Sequence, residues 1–242
     1  MIKKENTKIE SNARIARIAG IWYLVLAIGA GYSWMFINNT YVNGNAALTA
    51  GNIIRSESLF ISAIISGIIG QIAFILLGLT LHKLLKQVNE FISKITVTLV
   101  LVSVPITFAA IIIETGALFV LKRADYLSVF TAEQVQSIAM ICISFYLVGI
   151  YIVTIFWGLW LFPLARLVYK SDYFPKVIAI LLAISGICYI TGSMTALIIP
   201  EFYIKIEKFL SIPETIGELS MLLWLLIKGV SVKKRNNDLK TA

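Results

Sequence analysis

Of the chain's 242 residues, 59% are hydrophobic and 14% charged, against roughly 45–50% and about 25% in an ordinary soluble domain. A soluble fold of this length has no interior large enough for that surplus of apolar side chains, which excludes a domain solvated by water alone. The net charge of +8 does not point to nucleic acid either, because Lys and Arg are scattered between apolar runs instead of gathered on one polar face.

From the N-terminus, a polar and basic stretch over residues 1–14 precedes the first apolar run. No small-x-small cleavage site clearly follows that run, so it reads as a retained span and not as a removable signal. Long uninterrupted apolar runs, without the alternation of a barrel strand, predict helices that cross a bilayer, each needing about 20 apolar residues. Six are expected, at Ile15 to Phe36, Leu59 to Leu85, Ile95 to Leu121, Val135 to Ala165, Val177 to Ile199 and Ile212 to Val230. The expected fold class is therefore all-α: a polytopic transmembrane helix bundle, one domain over 15–230, with basic tails at 1–14 and 231–242.

The connections carry their own chemistry. Residues 45–54 and 202–210, the latter with Phe202, Ile206 and Phe209 at helical spacing, predict short helices lying on the membrane surface. Thr131 followed by Gln134, and Ser211 followed by Glu214 with Pro213 between them, have the capping-box form and mark the starts of spans 4 and 6. Pro200 ends span 5, while Pro105 and Pro163 are expected to kink the helices that contain them.

Orientation follows from the basic residues. Arg55, Lys122, Arg123, Lys205 and Lys208 fall on one side of the predicted bundle, and the other sixteen of the 21 Lys and Arg fall on the side of the two termini. By the positive-inside rule both termini are expected in the cytoplasm. The two cysteines, Cys142 and Cys188, lie in separate apolar runs, so neither a disulfide framework nor a metal knuckle is expected.

An ionisable group inside a span costs about 2.5–3.5 kcal/mol on insertion scales, so each one calls for a partner. Glu114 lies in span 3 on a stripe with Ser103, Thr107, Ala110 and Ala117, a small and polar face that should turn toward the bundle. Glu218 lies about two turns inside span 6. Two carboxylates at similar depth could share a proton or meet a cation. Alternatively, each hydrogen-bonds a neighbouring helix as interhelical glue, or pairs with Arg55, Lys122 or Arg123 at the rim.

Span 2 carries Ser62, Ala63, Ser66, Gly67, Gly70 and Gln71, a small-residue pattern expected to let another helix approach closely, with Gln71 able to contribute to a cavity. The candidate polar site therefore comprises Glu114, Glu218, Gln71 and Arg55. His82, the single histidine, reads as an interfacial residue. Trp34, Trp157, Trp160, Tyr169 and Tyr203 fall near predicted boundaries and read as interfacial belts. No metalloprotease, nucleotide-binding or nucleophile-elbow motif occurs, so no catalytic residue, metal or cofactor is expected.

The stretches ARIAGIWYLVLAIGAG, RSESLF, ADYLSVFTAEQVQSIA, FWGLWLFPLARLVYKSDYFPKVIAILLAISGICYI and IGELSMLLWLLIKGV, in that order, resemble the bacterial integral-membrane proteins grouped as domain of unknown function 4386. The resemblance runs from about Ala13 to Val230. It implies a multi-helix bundle in a bacterial cytoplasmic membrane, and no chemistry or site residue transfers from it.

The leading expectation is a non-enzymatic, transporter-like or solute-binding bundle with a polar cavity opening outward between spans 3 and 6. Its partners would be the lipid bilayer and a small polar or cationic ligand, with no nucleic acid. A second reading is an accessory or regulatory protein that binds a membrane protein or a second copy of itself through small-residue faces and its basic tail. A third is an intramembrane enzyme on a lipid-soluble substrate, with Glu114 or Glu218 as acid or base.

Overall fold

The computed structural model describes residues 2–122 and 125–230, and among these residues every regular element is a helix. In chain order the α-helices are α1 (Ile2–Thr40), α2 (Ala46–Arg55), α3 (Glu57–Leu85), α4 (Glu90–Leu121), α5 (Ala132–Lys170), α6 (Lys176–Ile198) and α7 (Pro200–Ile227), with a 3-10 turn at Asp125–Leu127. All but α2 are long and apolar enough to cross a membrane, and the chain is a multi-pass membrane protein. The basic stretch 231–242 and Arg123 lie outside the described residues.

Two differences from the sequence reading have local causes. Helix α1 extends from the first span back through the expected tail to Ile2, because no Gly or Pro interrupts the chain before Gly20. At the other end of the chain, the expected surface helix 202–210 and the sixth span are one continuous helix, α7, with Pro213 inside it. The capping box expected at Ser211 does not form. Ser211 Oγ donates to the Lys208 carbonyl within the helix (3.1 Å), and Thr215 Oγ1 to the Ser211 carbonyl (2.7 Å). Pro213 withholds a single backbone donor, a gap that helices in a bundle tolerate. The box at Thr131 does form, with reciprocal bonds to Gln134.

The six long helices close into a ring in which each packs on its neighbours: α1 on α3, α3 on α4, α4 on α5, α5 on α6, α6 on α7, and α7 back on α1. Because six crossings return the chain to its starting end, Gly229 lies beside Ala13. We call this the terminal end and the opposite one the α2 end. The small face of α3 is the α1–α3 seam: a Cβ built on Gly29 would stand 2.6 Å from the Ser66 carbonyl and 3.0 Å from the Gly70 nitrogen. Backbones meet at van der Waals distance there, and in lipid such packing, not apolar burial, holds helices together.

Two apolar cores divide the ring. One fills the terminal half with residues from all six long helices, including Leu77, Leu81, Trp160, Leu164, Leu182 and Leu225. Beyond it, a polar network caps the terminal end: Asn12 Nδ2 donates to Tyr173 Oη (3.1 Å), Gln87 Nε2 to Asn12 Oδ1 (3.4 Å), and Trp224 Nε1 to the Tyr173 carbonyl (3.2 Å). The second core lies toward the α2 end and draws its buried residues from α1 to α5, among them Ile37, Ile53, Phe60 and Ile143. Helices α6 and α7 contribute nothing to it, and the space they leave is a cavity.

Candidate functional site: an acidic aromatic cavity

The cavity has a volume of about 510 Å³ and is lined by all six long helices, within the range of roughly 300–1,000 Å³ typical of small-molecule sites. Each helix brings residues at helical spacing. Tyr23, Ala27, Ala30 and Trp34 come from α1, and Gly67, Gln71 and Phe74 from α3. Helix α5 adds Tyr146, Ile150 and Trp157, α6 adds Tyr189 and Ser193, and α7 adds Tyr203, Glu207, Glu214 and Glu218.

Its floor is aromatic. Trp160, 1% exposed, meets Phe74 edge-on with ring centroids 5.1 Å apart and Tyr23 at 6.4 Å, the geometry that ring quadrupoles favour. At the α2 end Tyr151 meets Tyr203 edge-on at 5.5 Å, joining α5 to α7 across the bundle, although the two helices are not neighbours in the ring.

Glu218 is the most connected side chain of the site. Tyr189 Oη donates to its Oε2 (2.8 Å) and Tyr23 Oη to its Oε1 (3.2 Å), so one carboxylate ties α1, α6 and α7 together. Bonds to a charged acceptor are roughly twice as strong as neutral ones. They still leave lone pairs to be met, and a carboxylate ionised there without a cation would be costly.

Other polar atoms are left open as well. Gln71 Oε1, Trp157 Nε1 and Ser193 Oγ are buried without a hydrogen-bond partner, and all three residues line the cavity. Buried polar groups are ordinarily satisfied, so this set is one acceptor, one donor and one hydroxyl awaiting a ligand or solvent. Glu207, Glu214 and Glu218 bring three carboxyl groups to the wall, and no Lys, Arg or His is among the lining residues.

Of the residues singled out from sequence, Glu218 and Gln71 meet here and two others do not. Glu114 is 1% exposed on the buried face it shares with Ser103, Thr107, Ala110 and Ala117, as its stripe implies. It is not a lining residue, and its Oε2 has no hydrogen-bond partner. Arg55 is exposed at the end of α2, away from the cavity lining. Lys122, a considered partner for Glu114, instead pairs with Glu57 at 2.6 Å. His82 Nδ1 lies 2.8 Å from Ser93 Oγ near the terminal end.

The belt reading of the aromatics needs correction. Trp34, Trp157, Trp160 and Tyr203 line the cavity; only Tyr169 of that group stays at the surface, with Lys176 Nζ 4.9 Å from its ring centre. Proximity to a span end does not say which way a ring turns, since the helix face decides it. Tyr23, Tyr189 and Ser193 escape sequence reasoning altogether. A signal existed for the tyrosines, phenols deep within apolar runs, which usually find a partner. Glu214 was absorbed by a capping box that does not form.

A family model described as Domain of unknown function (DUF4386) matches residues 18–229. Neither the comparison with curated proteins nor that with solved structures finds a match. The chain belongs to the DUF4386 family.

Proposed function

We propose that this DUF4386 protein is a solute-binding, transporter-like bundle of a bacterial cytoplasmic membrane whose central cavity takes an organic cation. The observation that carries the reading is the composition of the cavity wall: three carboxylates, many aromatic rings and no basic side chain among the lining residues. Aromatic faces attract a cation by about 0.5–2 kcal/mol each, and a buried carboxylate gains most from a cation at close range. An anion would find no basic side chain there, and a bare metal ion would leave most of the aromatic wall unused. The distribution of Lys and Arg supports termini in the cytoplasm, which puts the α2 end and the upper cavity on the outer side.

The small-residue faces on which a partner-binding role would rest are used inside the ring, at the α1–α3 seam. That favours ligand binding over protein docking.

The test is binding of benzyltrimethylammonium to the purified protein in detergent, by calorimetry or equilibrium dialysis, beside its uncharged isostere neopentylbenzene. The cation is expected to bind and the isostere to bind at least about tenfold more weakly, a difference of about 1.4 kcal/mol. Glu218→Gln should weaken the cation by a similar factor. Equal affinity for the two compounds, or an unchanged affinity in Glu218→Gln, overturns the reading.

A further inference from the structure

The ring is tight between α1 and α7 only in its terminal half. There a Cβ on Gly20 would stand 2.9 Å from the Leu226 nitrogen, and Tyr23 bonds Glu218. Toward the α2 end the two helices part. Ala27 and Gly31 of α1, and Thr215 and Leu219 of α7, line the cavity there and are exposed. Gly31 lies about three turns along α1 from Gly20 and on the same face, so the side that packs on α7 at one level is open at the other. Gly31 is the one glycine of the six long helices whose added Cβ would meet nothing within 4 Å.

The gap opens into lipid, not water. Around it the outer faces present Leu24, Ile28 and Met35 on α1, and Ile212, Ile216 and Leu223 on α7, all exposed. Gly31 lies five residues before Phe36, where the apolar run of α1 ends ahead of Asn38 and Asn39, about 7.5 Å along the helix axis. That places it inside a hydrocarbon core about 30 Å thick, in the half toward the α2 end. A polar cavity wall and a greasy portal thus meet at one depth.

Building on the cation reading, we infer that the ligand is a membrane-partitioned amphiphile: a cationic head lies in the cavity beside Glu218, and its hydrocarbon tail leaves through the α1–α7 gap into the bilayer. The shape fits that division. The aromatic floor and the Tyr151–Tyr203 pair bound the cavity at its two ends along the bundle axis, whereas the side between Gly31 and Thr215 is unfilled. The head takes the polar atoms left open on Gln71, Trp157 and Ser193, and the tail needs only the apolar sides of the gap.

The experiment compares two probes on the full-length protein in lipid nanodiscs, each corrected against empty nanodiscs: dodecyltrimethylammonium, with a tail, and benzyltrimethylammonium, without one. The wild type should bind the tailed probe at least about tenfold more tightly, since apolar burial adds to the same head. Gly31→Trp places its bulk in the gap, where an added Cβ meets nothing within 4 Å. It should lower the ratio of tailed to tailless affinity to about two or less, whatever it does to the head alone. Ile21→Trp, exposed on the same helix at the level where α1 and α7 are packed, should leave the ratio unchanged. A wild type that binds both probes equally overturns the tail path and leaves the cation site standing, whereas binding of neither probe removes the cation site itself. A ratio still near tenfold in Gly31→Trp, or one lowered equally by Ile21→Trp, also overturns the tail path.

Discussion

The two intramembrane carboxylates differ in what surrounds them, and their substitutions should separate accordingly. Glu218 receives two phenolic donors and faces the cavity. Tyr189→Phe removes the shorter bond and leaves a buried acceptor short of a partner, which costs about 1–3 kcal/mol. It should lower the apparent Tm in detergent and weaken benzyltrimethylammonium several-fold, and Tyr23→Phe, which removes the longer bond, should do less of both. Thermal unfolding with and without the cation reads the two effects; an effect of Tyr23→Phe larger than that of Tyr189→Phe would contradict the geometry. Glu114 lies off the cavity lining with an open Oε2, so Glu114→Gln should keep cation affinity within about twofold. Sequence alone gives both residues equal standing, because depth in a span is legible from spacing and the identity of the facing helices is not.

At the scale of helices, the seams are set by single atoms. Gly29→Val would push a branched side chain into the Ser66 carbonyl, and overpacking of this kind costs about 1–3 kcal/mol. Gly31→Val, two residues on and facing the gap, should shift the apparent Tm far less, and the pair of melting curves tests the assignment of the two glycines to a packed and an open face. The small-residue pattern of α3 was readable from its spacing; its partner Gly29 was not, since one face of α1 carries Gly29 and another Gly31 without any difference in local composition. Thr131 presents the opposite case. Its capping box is a contact within four residues, sequence and structure agree on it, and Thr131→Ala should cost about 1 kcal/mol. The Ser211 box fails although its residues match as well, because the helix before it continues through Pro213.

For the whole molecule, the orientation proposed from the basic residues predicts that a reporter fused after Ala242 is active only in its cytoplasmic form. It also predicts that a cysteine placed at Asn43, in the turn before α2, reacts with a membrane-impermeant reagent added outside intact cells. The opposite pattern would invert the bundle and turn the α2 end of the cavity toward the cytoplasm. The solvent around the chain, the number of crossings and the helical class were all determined by sequence by itself, because each depends on composition summed over about 20 residues at a time and on the need to satisfy backbone groups in hydrocarbon. Only the tertiary structure decided that α7 closes on α1, that Tyr23 and Tyr189 converge on Glu218 from positions 195 and 29 residues away, and that Glu114 stays outside the site. Those outcomes turn on which face of each helix meets which neighbour, a rotation about the helix axis that uniformly apolar spans leave almost unmarked in their residue pattern.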